Sequence, residues 1–153
     1  MDIANVVVID REGLKSLLPH RGVALLLDEV IYSEGENEIT GRKIVIEEDP
    51  ELDGHFPNFP VYPGHYLDEL ACLTAACLAK LICGDGINGL PMVVRKDGIQ
   101  YKKAARPGDV LSIKVVLLEN KGNRIFTFYS QIFNQNEELI ASIEKITGMA
   151  AKK

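Results

Sequence analysis

Residues 64–83 read GHYLDELACLTAACLAKLIC, and this stretch decides the architecture. Leu67, Leu70, Ala71, Leu73, Ala75, Ala76, Leu78, Ala79, Leu81 and Ile82 place small or apolar side chains on nearly every face of one helix. A helix that is apolar all round must be buried. Pro63 opens it, where a missing N–H is harmless, and Gly84 closes it as a left-handed cap.

After Gly89 the pattern turns to strands near Met92–Lys103, Val110–Glu119, Arg124–Phe133 and Glu138–Thr147, separated by turns at 106–109, 120–123 and 134–137. Ahead of the helix, 23–32 and 38–46 read as a hairpin around Glu34 and Gly35, with Ile44 and Ile46 on one face and Lys43 and Val45 on the other. Asp10 caps a short amphipathic helix carrying Leu14, Leu17 and Leu18, which Pro19 ends. The order is two strands, one long helix, then four strands. The expectation is one α+β domain over 1–153, its helix wrapped by a curved antiparallel sheet of about six strands.

The chain of 153 residues is 46% hydrophobic and 25% charged, the balance of an ordinary globular protein. No stretch reaches the roughly 20 uninterrupted apolar residues that cross a bilayer, and Val6–Ile9 is too brief for a signal peptide, so a cytoplasmic protein without membrane attachment is expected. Cys72, Cys77 and Cys83 lack paired metal or redox spacing and read as buried small hydrophobes; no metal site is expected. Net charge is −5, which argues against a nucleic-acid binder. The sign is uneven. Residues 28–53 hold ten acids against Arg42 and Lys43, whereas 95–106 hold Arg95, Lys96, Lys102, Lys103 and Arg106 against Asp97 alone. A basic strip on an acidic protein points to a specific anionic partner.

Residues 54–64, GHFPNFPVYPG, form a proline-stiffened loop that runs straight into the long helix, where Glu69 follows. This loop resembles the G-H-F-P-x-x-P-V-M-P-G motif of the 3-hydroxyacyl-acyl-carrier-protein dehydratases of the FabZ type. Leu17-Leu18-Pro19-His20-Arg21, Leu25–Asp28 and Arg106-Pro107-Gly108-Asp109 are similar to that family's flanking elements, so the resemblance covers roughly residues 14–147. It implies the hot-dog fold, a homodimer extended in a trimer of dimers, and active sites that take a histidine from one chain and an acid from the other.

His55 and Glu69 match those two positions, and Gly64 matches the glycine whose N–H receives charge from the thioester oxygen. The chemistry agrees with the residue types. An imidazole titrates near neutrality and serves as a general base. A helix N-terminus presents N–H groups to developing negative charge. Glu69, among Leu67, Leu70 and Leu73, is expected to be raised in pKa by desolvation. It then either delivers a proton to the departing hydroxyl or, ionised, positions a water.

The resemblance places Phe56, Pro57, Tyr62, His65, Tyr66 and Leu73 along the substrate. Tyr62 stands where the family has methionine, His65 and Tyr66 where it has smaller residues, and Leu73 where it commonly has glutamine. These exchanges add bulk near the acyl tunnel, and His65 either packs locally or supplements the base. Asp68 reads as an ordinary helix-start acid and His20 as a structural hydrogen-bonding residue. The resemblance further implies acyl carrier protein docking on Lys96, Lys102, Lys103 and Arg106, with the phosphopantetheine arm arriving on the substrate and no cofactor of the enzyme's own. A hot-dog thioesterase and a non-catalytic binder of acyl chains or acyl carriers are the rival readings. Acyl length and pathway stay open.

Overall fold

In the computed structural model, which describes residues 5–87 and 89–152, the greasy stretch is helix α2, Gly64–Cys83, and the rest of the chain covers it. The other elements are β1 (Val6–Asp10), α1 (Arg11–Leu14), β2 (Glu29–Ser33), β3 (Glu38–Ile44), β4 (Leu90–Tyr101), β5 (Val110–Lys121), β6 (Ile125–Phe133) and β7 (Leu139–Ala151). Seven strands form one antiparallel sheet in the order β1-β2-β3-β5-β6-β7-β4. This is the hot-dog arrangement.

The strands obey a period of two. Leu111, Ile113 and Val115 of β5 are buried while Lys114 points outward, and Phe126, Phe128, Ser130 and Ile132 of β6 are buried likewise. These side chains meet Leu70, Leu73 and Leu78 of α2 in one core cluster. Each fully buried leucine of this kind contributes about 1.5–3 kcal/mol. The helix comes so close to Gly41 of β3 that any side chain there would run into Thr74 and Leu27. Thr74 itself turns its hydroxyl back onto the Leu70 carbonyl at 2.7 Å.

The sheet agrees with the expected fold, with one strand beyond the expected six or so, and the bounds of two other elements need correction. The sheet has seven strands, because Val6–Asp10 pairs with β2 as an edge strand with Val8 60% exposed. The strand expected from Val23 starts only at Glu29. Gly22 has a positive φ of 59°, Gly22–Ala24 form a 3-10 turn, and Leu25, Leu26 and Leu27 fill the core without joining the sheet. β3 ends at Ile44, whose N–H donates to the Asp28 carboxylate at 2.6 Å.

The three turns fall where expected, each held by a side chain on backbone N–H groups. Asp109 accepts from Arg106, Asn120 from Asn123, and Asn134 from Asn136 and Glu138. Opposite β1, the other edge of the sheet is β4, twelve residues long, with Met92, Val93 and Val94 exposed to 52%, 46% and 57%.

Candidate active site

The loop between β3 and α2 carries His55 and is tied at several points. A 3-10 turn at Pro50–Leu52 sets its first bend. The N–H of His55 then donates to the Leu52 carbonyl at 2.9 Å, and its own carbonyl accepts from Val61 N–H at 2.8 Å. Nδ1 of the His55 ring lies 2.8 Å from the Val61 carbonyl oxygen. A carbonyl can only accept, so Nδ1 carries the proton and Nε2 presents the lone pair. The His55–Phe56 peptide is cis, and the Phe56 ring stacks on the imidazole with centroids 4.3 Å apart.

Tyr62 N–H donates to the Ala105 carbonyl and fastens the end of the loop to the rest of the fold. The loop then enters α2 at Gly64, whose N–H has no acceptor within the helix. The ring of Tyr101, from the end of β4, covers this glycine.

One turn into α2, Glu69 lines a cavity of about 390 Å³. Leu73, Cys72, Ala76 and Ala79 of α2 form one wall, and Met92, Phe126, Phe128, Ile146 and Met149 of the sheet form another. Leu17, Leu18, Pro19 and His20 flank Glu69. Burial pushes the Glu69 carboxyl above its ordinary range; His20 and Lys96 oppose the shift and Asp68 adds to it. The same burial, with Glu69 nearby, pushes the Cys72 thiol up to about 12, so it stays a neutral thiol.

Of the residues expected along the substrate, Leu73 lines this cavity, buried to within 1%. Phe56 and Pro57 are exposed on the loop, and His65 is exposed with its ring against Tyr66. Tyr62 is buried to within 1% and turns its hydroxyl to Glu51 at 2.9 Å, away from the cavity. His55, Gly64 and Tyr66 do not line the cavity of their own chain either.

Asp68 and His20 differ from their sequence reading, and Glu51 takes part in a contact that the reading did not single out. Asp68 is buried, accepts from the Tyr101 hydroxyl at 2.7 Å and lies 3.6 Å from Lys96 Nζ. Glu51 is buried with Asp49 around Lys43, which stands 3.2 Å from Asp49 and 3.9 Å from Glu51. His20 borders the cavity, and its Nδ1 is buried without a hydrogen-bond partner among the described residues. No spacing signal marks the Asp68 contacts, which join α2 to a strand about 30 residues on, and the Lys43 cluster forms only because the chain turns back after β3.

In the basic strip, Lys96 is held by Asp68 and Lys103 by Glu138. Lys102 and Arg106 are exposed and make no ion pair among the described residues. Arg106 lies over the Phe59 ring at 3.7 Å, which brings the strip up to the loop that holds His55. Among the described residues, no three His, Cys, Asp or Glu side chains cluster as a metal site, and no helix is long and apolar enough to cross a membrane.

A long buried helix wrapped in an antiparallel sheet defines a hot-dog protein, and an acid stands in the wall of its largely apolar cavity. The chain belongs to the FabA-like family, whose domain it matches over residues 18–144. It is 36% identical over 120 residues to the 3-hydroxyacyl-(acyl-carrier-protein) dehydratase FabZ of Bartonella bacilliformis, covering 78% of each chain. To the FabZ of Rickettsia massiliae it is 31% identical over 147 residues, 96% of this chain and 99% of the relative. Among solved structures, the dehydratase heterocomplex ApeI:P from Xenorhabdus doucetiae has the same fold, with a TM-score of 0.77 at 18% identity, covering 92% of this chain and 91% of that one.

Proposed function

We propose that the protein dehydrates 3-hydroxyacyl groups carried on acyl carrier protein, giving the trans-2-enoyl thioester and water, in fatty acid or related lipid biosynthesis. The observation that carries this reading is Glu69, raised by burial, in the wall of the largely apolar cavity of about 390 Å³. A protonated carboxyl there can give its proton to a leaving hydroxyl while the acyl chain lies in the cavity.

In the proposed step Nε2 of His55 takes the C2 proton, and the electrons of that C–H bond become the C2–C3 double bond. The C3–O bond breaks and the hydroxyl leaves as water with the proton from Glu69. Gly64 N–H, at the positive end of α2, receives the charge that develops on the thioester oxygen. The Val61 carbonyl holds His55 in the tautomer this needs. Elimination of water is redox-neutral and its protons balance between the two side chains, so neither a metal nor a redox cofactor is required.

His55 does not line the cavity on which Glu69 of its own chain opens, so we assign the base to a second copy of the chain. The exposed apolar edge of β4 supports such a homodimer, because a long unpaired edge is a template for another strand. A trimer of such dimers and a cytoplasmic location complete the proposal. Lys102 and Arg106, with Lys96 and Lys103 beside them, would steer the acidic carrier toward the site, an interaction that salt weakens.

The test incubates purified protein with a 3-hydroxyacyl thioester and follows ultraviolet absorbance of the conjugated product together with free thiol. Enoyl absorbance without thiol release is expected. Thiol release makes the protein a thioesterase, and silence in both channels makes it a binder; either outcome overturns the proposal.

A further inference from the structure

The base-bearing loop is closed by a buried polar network. Tyr62 Oη donates to Glu51 Oε1 at 2.9 Å. Glu51 in turn lies 3.9 Å from Lys43 Nζ, which stands 3.2 Å from Asp49 Oδ1. The other oxygen of Asp49 accepts from Ile46 N–H at 2.9 Å. All four side chains are at most 9% exposed. A buried network of this kind is rigid when every member is satisfied, and a buried charge that loses its partner is strongly destabilising.

The position of the tie matters. Among the described residues, His55 is hydrogen-bonded to two places only, Leu52 on one side and Val61 on the other. Leu52 is the neighbour of Glu51, and Val61 is the neighbour of Tyr62. The Tyr62–Glu51 bond therefore clamps together the two strands of loop between which the imidazole is hung. We propose that Tyr62, through Glu51, is the positioning residue that keeps the Val61 carbonyl on Nδ1 of His55 and so fixes the imidazole with its lone pair on Nε2.

This assignment rests on the dehydratase reading for its catalytic consequence but not for its structural one. The phenol is suited to the task. Burial, then the carboxylate of Glu51, pushes its pKa well above the ordinary tyrosine range, so it remains a donor at any working pH. Tyr62 does not line the cavity of its own chain and its hydroxyl is turned to Glu51, so its part is to position the base rather than to react. The bulk at this position, where the related motif has methionine, serves the base rather than the acyl tunnel.

The test is nitrogen NMR of the imidazole in the full-length protein, paired with steady-state kinetics. In the wild type, His55 above its titration must give the pattern of a protonated Nδ1 and a bare Nε2. Tyr62→Phe, which removes only the hydroxyl, should convert this to an averaged pattern of both tautomers. It should also lower kcat about 10-fold with KM within about twofold, a fraction of what a general base contributes. Glu51→Gln keeps the acceptor and should keep the wild-type nitrogen pattern.

An unchanged pattern in Tyr62→Phe overturns the assignment, whatever the rate does. Should Tyr62→Phe not fold, Tyr62→Met serves in its place, and a wild-type His55 protonated on Nε2 overturns the assignment by itself. Failure of the dehydratase reading looks different: wild-type protein makes no enoyl product while the tautomer shift persists.

Discussion

The ring of Tyr101 lies so close to Gly64 that a Cβ at that glycine would stand 3.0 Å from two of its ring carbons. The first residue of α2 thus packs on the Cα side against an aromatic ring whose hydroxyl is fastened to Asp68 at 2.7 Å, within the same turn of helix as Glu69. Gly64→Ala keeps the N–H but must displace either the ring or the helix start. Misplacement of about 1 Å costs on the order of 100-fold in rate. We expect kcat to fall at least about 10-fold in Gly64→Ala and most of it to return in Gly64→Ala/Tyr101→Ala, since the second change removes the obstruction. Wild-type kcat in the single variant would show that the glycine is not needed.

The raised Glu69 carboxyl has a consequence for stability. Burial lifts it above its ordinary 4.5, so across the interval from 4.5 up to the folded value the folded protein holds a proton that the unfolded chain releases. The stability linked to that proton is whole below the unfolded value and is lost as pH rises through the folded one. Glu69→Gln has no such proton to lose. Thermal melts should therefore show Glu69→Gln more stable than wild type at about pH 7, with the difference gone at about pH 4. A wild type that gains on the variant as pH rises would mean that the carboxylate is stabilised in place.

Much of the frame was legible in the sequence because it rests on local signals. Proline before and glycine after the apolar run bound α2, and Asp109, Asn120 and Asn134 mark turns by bonding backbone a few residues away. The errors came where local pattern is ambiguous. Leu25, Leu26 and Leu27 are apolar and buried, yet in irregular backbone, and burial alone does not distinguish the two. Val6–Asp10 becomes a strand only because β2 lies beside it. Within the site, the polar contacts were hidden for the same reason. Asp68 meets a tyrosine 33 residues away, and Tyr62 meets a glutamate 11 residues back. Neither spacing carries a signal until the fold brings the ends together.

The cavity sets a test of acyl selectivity. Ala76, two turns along α2 from Glu69, contributes a small side chain to the cavity wall. Ala76→Phe should fill that space, and each methylene denied its contacts is worth about 10- to 200-fold in discrimination. Measured as kcat/KM, long-chain 3-hydroxyacyl thioesters should lose activity far more than a four-carbon one. Equal losses for all lengths would place the acyl chain elsewhere.

Lys102→Glu/Arg106→Glu reverses the two cations of the strip that have no acidic partner among the described residues. Encounter rates steered by charge fall when the sign is reversed and when salt is added. Kcat/KM should drop about 10-fold or more for carrier-bound substrate at low salt and stay level for the same acyl group on a small pantetheine thioester. A parallel drop for both substrates would move these residues from docking to folding.

In the proposed dimer the base of each site comes from one copy of the chain and the acid from another. Subunit mixing tests it most directly. His55→Ala and Glu69→Ala are each expected to lose about 100- to 10,000-fold in activity when pure. Unfolded together and refolded, they form mixed dimers in which one of the two sites regains both native residues. Random pairing should then restore about a quarter of wild-type activity, as expected for a twofold-symmetric assembly. Mixed dimers demonstrated by mass but as inactive as their parents would contradict the account.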